Sequence, residues 1–264
     1  MKIFLLDSNS IICRYFFAMP EMFDSNGINV SALFGYCRLI QEIIKNNQNH
    51  NIAIIATFDR CYNNFRKKID SNYKANRKRS DSSLVVQLNL AEEFCKKILI
   101  PVEYHSEYEA DDIIGSIATK MKHQNKEINI ISTDKDLLQL IDSNVFVINP
   151  FKKIKADEDY VLQKYGINAK DFDLFLALCG DASDNIQGIQ NVGPKTAVKI
   201  INTTTKQEEM QQMFPKYDFS NLPKMLELTK LYLDYDFNKI NKYKTDIVLF
   251  NQTLRLFDFK TIDL

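Results

Sequence analysis

Apolar residues in the first 150 positions fall into short solid runs separated by longer periodic stretches. Residues 2–6, 52–58, 128–132 and 145–148 are almost wholly apolar. Runs this short, bounded by turn formers, suit strands buried on both faces. Between them lie stretches with helical spacing. Residues 31–45 put Leu33, Tyr36, Cys37, Ile40, Ile43 and Ile44 on one face, and residues 84–98 do the same with Leu84, Leu88, Ala91, Phe94, Cys95 and Ile98. Residues 109–123 turn Ile113, Ile114, Ile117, Ala118 and Met121 inward. Shorter helices are expected over 11–18 and 136–140, and a short strand over 100–104. Strands alternating with such helices predict βαβ units, hence an α/β fold with a central, mostly parallel sheet flanked by helices. From about residue 157 the pattern becomes helical and loop-rich. The expected organisation is an α/β domain over 1–156 and a C-terminal helical subdomain over 157–264.

Composition adds little until charge is read by position. The chain has 264 residues with 34 basic and 34 acidic side chains, so net charge announces no partner. Residues 60–79 nevertheless carry eight cations against the single acid Asp70, with Tyr62, Phe65 and Tyr73 interleaved. Such a stretch is ordinarily a solvated face; next to an anionic ligand, its cations neutralise phosphates and its aromatics stack on unpaired bases. Polar residues and β-breakers predict a mobile segment with partial helix over 60–82. The five cysteines are scattered and show no CxxC spacing, which suggests neither a disulfide framework nor a zinc site and suits a reducing cytosol. No apolar run is long enough to span a bilayer, and the N-terminus leaves no room for a signal peptide before a charge.

The acids carry the chemistry. Asp7, Asp59 and Asp134 each follow a strong strand, and ligands of open parallel sheets bind beyond the carboxyl ends of their strands. Glu109, Asp111 and Asp112 open a helix, and Asp136 follows Asp134, so these five carboxylates crowd into residues 109–136. One aspartate after a strand is ordinarily a turn former or helix cap. So many converging on one edge repel each other unless cations lie between them. Hard oxygen donors with no paired His or Cys point to Mg²⁺ or Mn²⁺, and two such ions suit phosphodiester hydrolysis. His50, His105 and His123 lack HExxH or triad context and read as ordinary surface residues.

A second motif spans 180–202. Asp181 and Asp184 precede Gly188 and Gly193, which are expected to permit tight turns, and a helix is expected to begin at Pro194. A glycine hairpin before a helix offers free amides to a phosphate, with Lys195 and Lys199 adding charge.

At these residues the chain resembles the 5′–3′ exonuclease domain of bacterial DNA polymerase I and its flap endonuclease relatives, a PIN-like or resolvase-like family. The resemblance rests on Leu6-Asp7, Phe58-Asp59, Tyr73-Lys-Ala-Asn-Arg77, Tyr108-Glu-Ala-Asp-Asp112, Thr133-Asp-Lys-Asp136 and Gly180-Asp-Ala-Ser-Asp-Asn185, and covers nearly the whole chain. It implies a metal-dependent nuclease that cuts DNA near junctions of a 5′ single strand and duplex, in RNA-primer removal and repair. It implies two divalent ions, one held by Asp7, Asp59, Glu109, Asp111 and Asp134, the other by Asp112, Asp136, Asp181 and Asp184. Asp111, Lys74 and Arg77 would be catalytic, the last two at the base of a helical arch over about 60–82. Arg14, Arg66 and Tyr73 would contact DNA. Residues 180–202 would be the helix–hairpin motif on the downstream duplex, using Gly188, Gly193, Lys195, Thr196 and Lys199, with K⁺ often bound there. The resemblance further implies a cytoplasmic monomer, with a DNA polymerase and a ligase as partners by analogy. A stand-alone exonuclease and the exonuclease part of a longer polymerase both fit. The chain departs from the family with Ser8 in place of the usual Gly, Asn9-Ser10 after it, Gln187 where Pro is common and Pro194 where an acid is common. None of these removes a carboxylate.

Two other readings share parts of this pattern. A PIN-type single-strand RNase would have the acidic edge but lack the glycine hairpin. A non-catalytic junction-binding protein would avoid nine acids beside phosphates.

Overall fold

A computed structural model describes residues 1–77, 81–124, 126–237 and 252–253. Its centre is a six-stranded sheet of β1 (Lys2–Asp7), β2 (Ile52–Thr57), β3 (Val102–Glu103), β4 (Glu127–Ile131), β5 (Val145–Asn149) and β6 (Ile154–Ala156). Strand order is β3-β2-β1-β4-β5-β6; the first five are parallel and β6 runs antiparallel. The expected α/β sheet is therefore present, with two differences in detail. β3 is a two-residue edge strand where 100–104 was expected, because Pro101 has no N–H to give. β6 was not anticipated, since three residues are too few for an alternation to show.

The helices are α1 (Ser8–Ala18), α2 (Ser31–Asn46), α3 (Phe65–Ile69), α4 (Ser82–Lys97), α5 (Ala110–Lys122), α6 (Glu158–Tyr165), α7 (Phe172–Cys179), α8 (Pro194–Thr203), α9 (Gln207–Met213) and α10 (Leu222–Thr229). Successive strand residues face opposite sides, and the sheet divides two cores accordingly. Phe4, Leu6, Ile54 and Ala56 pack with α1, α2 and α4. Ile3, Leu5, Ile55, Ile128 and Ile130 pack with α5 and the C-terminal helices. Each large aliphatic side chain buried this way contributes about 1.5–3 kcal/mol before entropy is counted. The second core runs without a break from Ala156 to Val161 and on to Phe172, so the C-terminal helices lie on the sheet's own hydrophobic face across the expected boundary at 156/157.

Two helix starts place acids. α1 begins three residues earlier than its apolar pattern, at Ser8, because the Asp7 carboxylate caps it by accepting from the Ser10 N–H. α5 begins at Ala110 with Glu109 as its cap. The basic segment contains the partial helix expected of it. Over its described part it is helix α3 followed by turns, packed down so that Arg66 and Tyr73 are each 2% exposed. Residues 78–80 of the expected arch, and residues 238–251 and 254–264 of the expected helical subdomain, lie outside the described residues.

Candidate metal centre and nucleic-acid interface

The carboxyl ends of β1, β2 and β4 are level: Leu6 pairs with Ala56 on one side and Ile131 on the other. Asp7, Asp59 and Asp134 therefore emerge along one edge, as parallel register requires. They line an open cleft of about 530 Å³ together with Glu109, Asp111, Lys74, Arg77 and Arg14. Short polar side chains fix the edge. The Ser132 hydroxyl donates to Asp7 Oδ2 and accepts from the Asp134 N–H. Asn9, one of the departures from the family pattern, accepts from the Asp59 N–H at 3.0 Å and so ties α1 to the end of β2. Ser10 and Thr133 bond each other across the same edge at 2.6 Å.

Crowding shows in the titration of these groups. Burial, helped by Asp134 and Asp59, pushes the Asp7 carboxyl up to about 6. Burial and then Glu109 raise Asp59, and burial with Glu109 and Asp112 raises Asp111 well above the ordinary range. Asp134 is raised by burial and by Asp184. Burial, Asp134 and Asp181 push Asp136 up to about 8. Two acids go the other way. Burial disfavours charge on Glu109, but Lys74 and Arg66 outweigh it and hold the carboxyl below its usual range. Burial likewise opposes charge on Asp181, and Lys135, 2.8 Å from Asp181 Oδ2, outweighs it.

The hairpin loop brings the remaining acids. Asp181 and Ile186 exchange backbone hydrogen bonds, and Ile189 donates to the Leu178 carbonyl. Gly188 sits at φ +71°, where a Cβ would lie 2.3 Å from the Gly180 nitrogen, so two backbones touch where no side chain fits. Gly193 is different: its backbone is extended, φ −93° and ψ 177°, and a Cβ there would meet nothing within 4 Å. The expectation that Gly193 makes a turn is corrected; its bareness leaves the first turn of α8 without a side-chain cap. Pro194 opens that helix as expected, with Lys195 and Lys199 exposed and Thr196 half-buried.

Residues 73–77 join the hairpin loop to the acids. Lys74 adopts φ +54°, a left-handed conformation costly for a residue with a side chain. It is held there by its N–H donating to the Asp184 carbonyl at 2.9 Å. Its ammonium bonds Glu109 Oε1 and lies 3.5 Å from Asp184 Oδ2, while Arg77 donates to Asp184 Oδ1 at 2.7 Å. Burial opposes a charge on Lys74, but Glu109, Asp111 and Asp184 overcome it and keep the ammonium protonated.

Two site expectations change, and a third residue, Asp112, proves heavily hydrogen-bonded. Tyr73 does not offer its ring to a base: it is buried, and its hydroxyl donates to Glu109 Oε2 at 2.8 Å and Asp184 Oδ2 at 3.1 Å. Arg66 does not reach solvent; its guanidinium is forked onto Asp112 with both N–O distances 2.7 Å. One oxygen each from Glu109, Asp111 and Asp112 lies within 4.8 Å of the others, a spacing a metal ion can use. The fully buried Asp112, however, already accepts from Arg66 twice and from the Glu109 and Tyr232 N–H groups. Each of its carboxylate oxygens thus has two donors, one from Arg66 and one from a backbone N–H. Arg14 is exposed at the mouth of the cleft, as a DNA contact requires. Sequence reasoning missed Lys135, Ser132 and Asn9; their only signal was a place beside an acid.

The donor set fits hard divalent cations. It is all carboxylate, it opens to solvent, and Asp136 Oδ1 is buried with no hydrogen-bond partner among the described residues. No described helix is long and apolar enough to cross a membrane.

Known proteins share this architecture. A family profile described as the N-terminal resolvase-like domain of 5′-3′ exonucleases matches residues 2–166, and one described as their C-terminal SAM fold matches residues 167–260. The chain is 35% identical over 241 residues to a 5′-3′ exonuclease of Aquifex aeolicus, covering 89% of this chain and 83% of that protein. It is 37% identical over 236 residues to DNA polymerase I of Caldicellulosiruptor bescii, covering 87% of this chain and 27% of the polymerase. Among solved structures, T5 5′-exonuclease with bound zinc ions has the same fold, with a TM-score of 0.70 at 19% identity over 99% of this chain and 90% of that one. The catalytic core of Rad2 in complex with a DNA substrate matches at a TM-score of 0.62 and 14% identity, over 97% and 87% of the two chains. With both halves matched and the acids on one edge, the chain belongs to the 5′-3′ exonuclease family.

Proposed function

We propose that this member of the family is a metal-dependent 5′ nuclease that cuts DNA at the junction of a 5′ single strand and duplex, as in flap and primer removal. One observation carries the reading. Carboxylates from β1, the end of β2, the start of α5 and the turn after β4 meet in one cleft whose walls also carry Lys74 and Arg77, and those two cations pair with Asp184 of the hairpin loop.

Asp7, Asp59, Glu109, Asp111 and Asp134 would hold one cation, and Asp136, Asp181 and Asp184 a second. Bound there, Mg²⁺ or Mn²⁺ would supply a water of lowered pKa and positive charge for the leaving oxygen. The chain's own part is placement. Lys74, kept charged by the surrounding acids, presents its ammonium to the phosphate being cut, and Arg77 adds a second cation. Arg14 takes a phosphate at the mouth of the cleft. The uncapped start of α8, with Lys195, Thr196 and Lys199, grips the duplex backbone. K⁺ held by hairpin carbonyls belongs to the same reading, as do a cytosolic setting, a monomeric state and a DNA polymerase and ligase acting on the products.

The test is cleavage of a labelled 5′-flap duplex by wild type and Asp111→Asn. Mg²⁺-dependent cuts near the junction that stop with chelator and fall at least about 100-fold in the variant support the reading. Cleavage of single-stranded RNA in preference to the flap would instead favour a PIN-type RNase.

A further inference from the structure

Arg66 is buried behind Glu109 and does not itself line the open cleft. All five of its N–H donors are used. Nε donates to the Leu228 carbonyl at 3.1 Å, and one N–H of Nη2 to the Lys230 carbonyl at 2.8 Å. The other three go to Asp112 Oδ1 and Oδ2 and, at 3.2 Å, to Glu109 Oε2. One buried guanidinium thus joins a C-terminal segment to the first turn of α5, the turn that presents Glu109 and Asp111.

That segment leaves α10 at Thr229 and runs without regular structure along α5 to Phe237. The Tyr232 N–H donates to Asp112 Oδ1 at 2.8 Å. The Ser116 hydroxyl accepts from the Tyr235 N–H at 3.1 Å and shares its one hydrogen between the Asp112 carbonyl at 2.9 Å and the Tyr232 carbonyl at 3.1 Å. Tyr232 stacks on Tyr108, the residue before Glu109, with centroids 4.4 Å apart and planes 10° from parallel. Close approach is possible because α5 presents Gly115 there; a Cβ would lie 2.8 Å from Leu233 Cδ2.

We propose that residues 228–237 are a clasp that positions the metal-binding acids. The clasp places no side chain in the cleft. Its carbonyls and one N–H fix Arg66 and Asp112, which in turn fix the Glu109 carboxylate and the start of α5. Arg66, Asp112 and Tyr232 are then positioning residues. Outer partners of ligating groups commonly set metal affinity by about 10–100-fold, and these partners come from a part of the chain more than 100 residues away. The proposal rests on the reading of the cleft as a divalent-metal site.

The experiment is calorimetric titration of Mn²⁺ into DNA-free full-length protein, alongside flap cleavage at varied Mn²⁺ and thermal melting. The variants are Ser116→Ala with Tyr232→Ala, Tyr232→Phe, and Arg66→Lys, which keeps the charge but has three donors for five acceptors. The expected result for the double variant is about 10-fold weaker Mn²⁺ binding and an equal rise in Mn²⁺ for half-maximal cleavage. Its KM for DNA should stay within about twofold of wild type, and Tyr232→Phe should match wild type throughout. Arg66→Lys should weaken Mn²⁺ binding further; if it does not fold, the double variant decides. A double variant that melts lower but binds Mn²⁺ as wild type does would overturn the proposal and leave the clasp as fold support only. If wild type itself neither binds Mn²⁺ nor cleaves, the nuclease reading fails first and takes the clasp's role with it.

Discussion

Lys74 is bound to Asp184 twice, its N–H to the backbone carbonyl at 2.9 Å and its ammonium 3.5 Å from the carboxylate. The pairing closes a loop between residues separated by more than 100 positions, and it holds Lys74 at φ +54°. A left-handed lysine costs free energy that a surface residue would not keep. Its amine is thereby fixed beside Glu109 at the cleft.

Removing that amine should leave DNA binding largely intact and remove charge from the reacting phosphate. Lys74→Ala should lower turnover of a 5′-flap substrate by about 100-fold or more, with Kd for the same DNA in Ca²⁺ changed only a few-fold. Single-turnover kinetics beside a binding titration checks this. An equal loss in both would make Lys74 a binding residue.

The crowded acids set a pH dependence for the metal-free protein. Asp7 and Asp136 rise from an ordinary 3.8 to about 6 and about 8 on folding. Below pH 3.8 folded and unfolded chains are both protonated at these groups, and their contribution is fully present. As pH rises above 3.8 the unfolded chain loses protons that the folded chain retains, so stability falls until the folded groups titrate in turn, Asp7 at about 6 and Asp136 at about 8. Glu109 and Asp181 shift downward, and what they contribute is lost only in acid, below the usual carboxylate range. In EDTA the melting temperature should drop between pH 5 and pH 8, and millimolar Mg²⁺ should remove most of the drop. A melting temperature that rises over that interval in EDTA would contradict the assignment.

The start of α8 makes a separate prediction. Lys195 and Lys199 are exposed beside an uncapped helix end. Changing both to Ala should weaken binding to duplex-bearing substrates alike, whatever their sequence. The slope of log K against log salt should shrink by about 0.9 for each phosphate no longer neutralised, about 2 for the pair. Filter binding across a salt series measures it, and turnover at saturating DNA should be unchanged.

What the sequence reveals follows the range of the forces involved. β1, β2, β4 and β5 are legible because a strand buried on both faces must be apolar throughout, which is a local property. The acidic edge is legible because parallel strands put their carboxyl ends together whatever the loops do. The basic segment misleads for the opposite reason. Arg66 and Tyr73 read as phosphate and base contacts among their neighbours, but their partners are Asp112, Leu228, Lys230 and Asp184. Nothing within ten residues of either shows that it is buried. The surroundings of Asp112 are hidden for the same cause: its spacing from Glu109 suits a ligand, while Arg66 and the Tyr232 N–H, which also bond its oxygens, come from elsewhere in the chain. Gly188 and Gly193 look alike in sequence, yet only Gly188 has a backbone angle and a neighbour that demand glycine.

Anomalous scattering from crystals soaked in Mn²⁺ tests the central claim most directly. The account predicts two peaks in the cleft, one among Asp7, Asp59, Glu109, Asp111 and Asp134 and one among Asp136, Asp181 and Asp184, with none on Asp112. Well-ordered crystals showing Mn²⁺ only at other surfaces, or none at all, would contradict it.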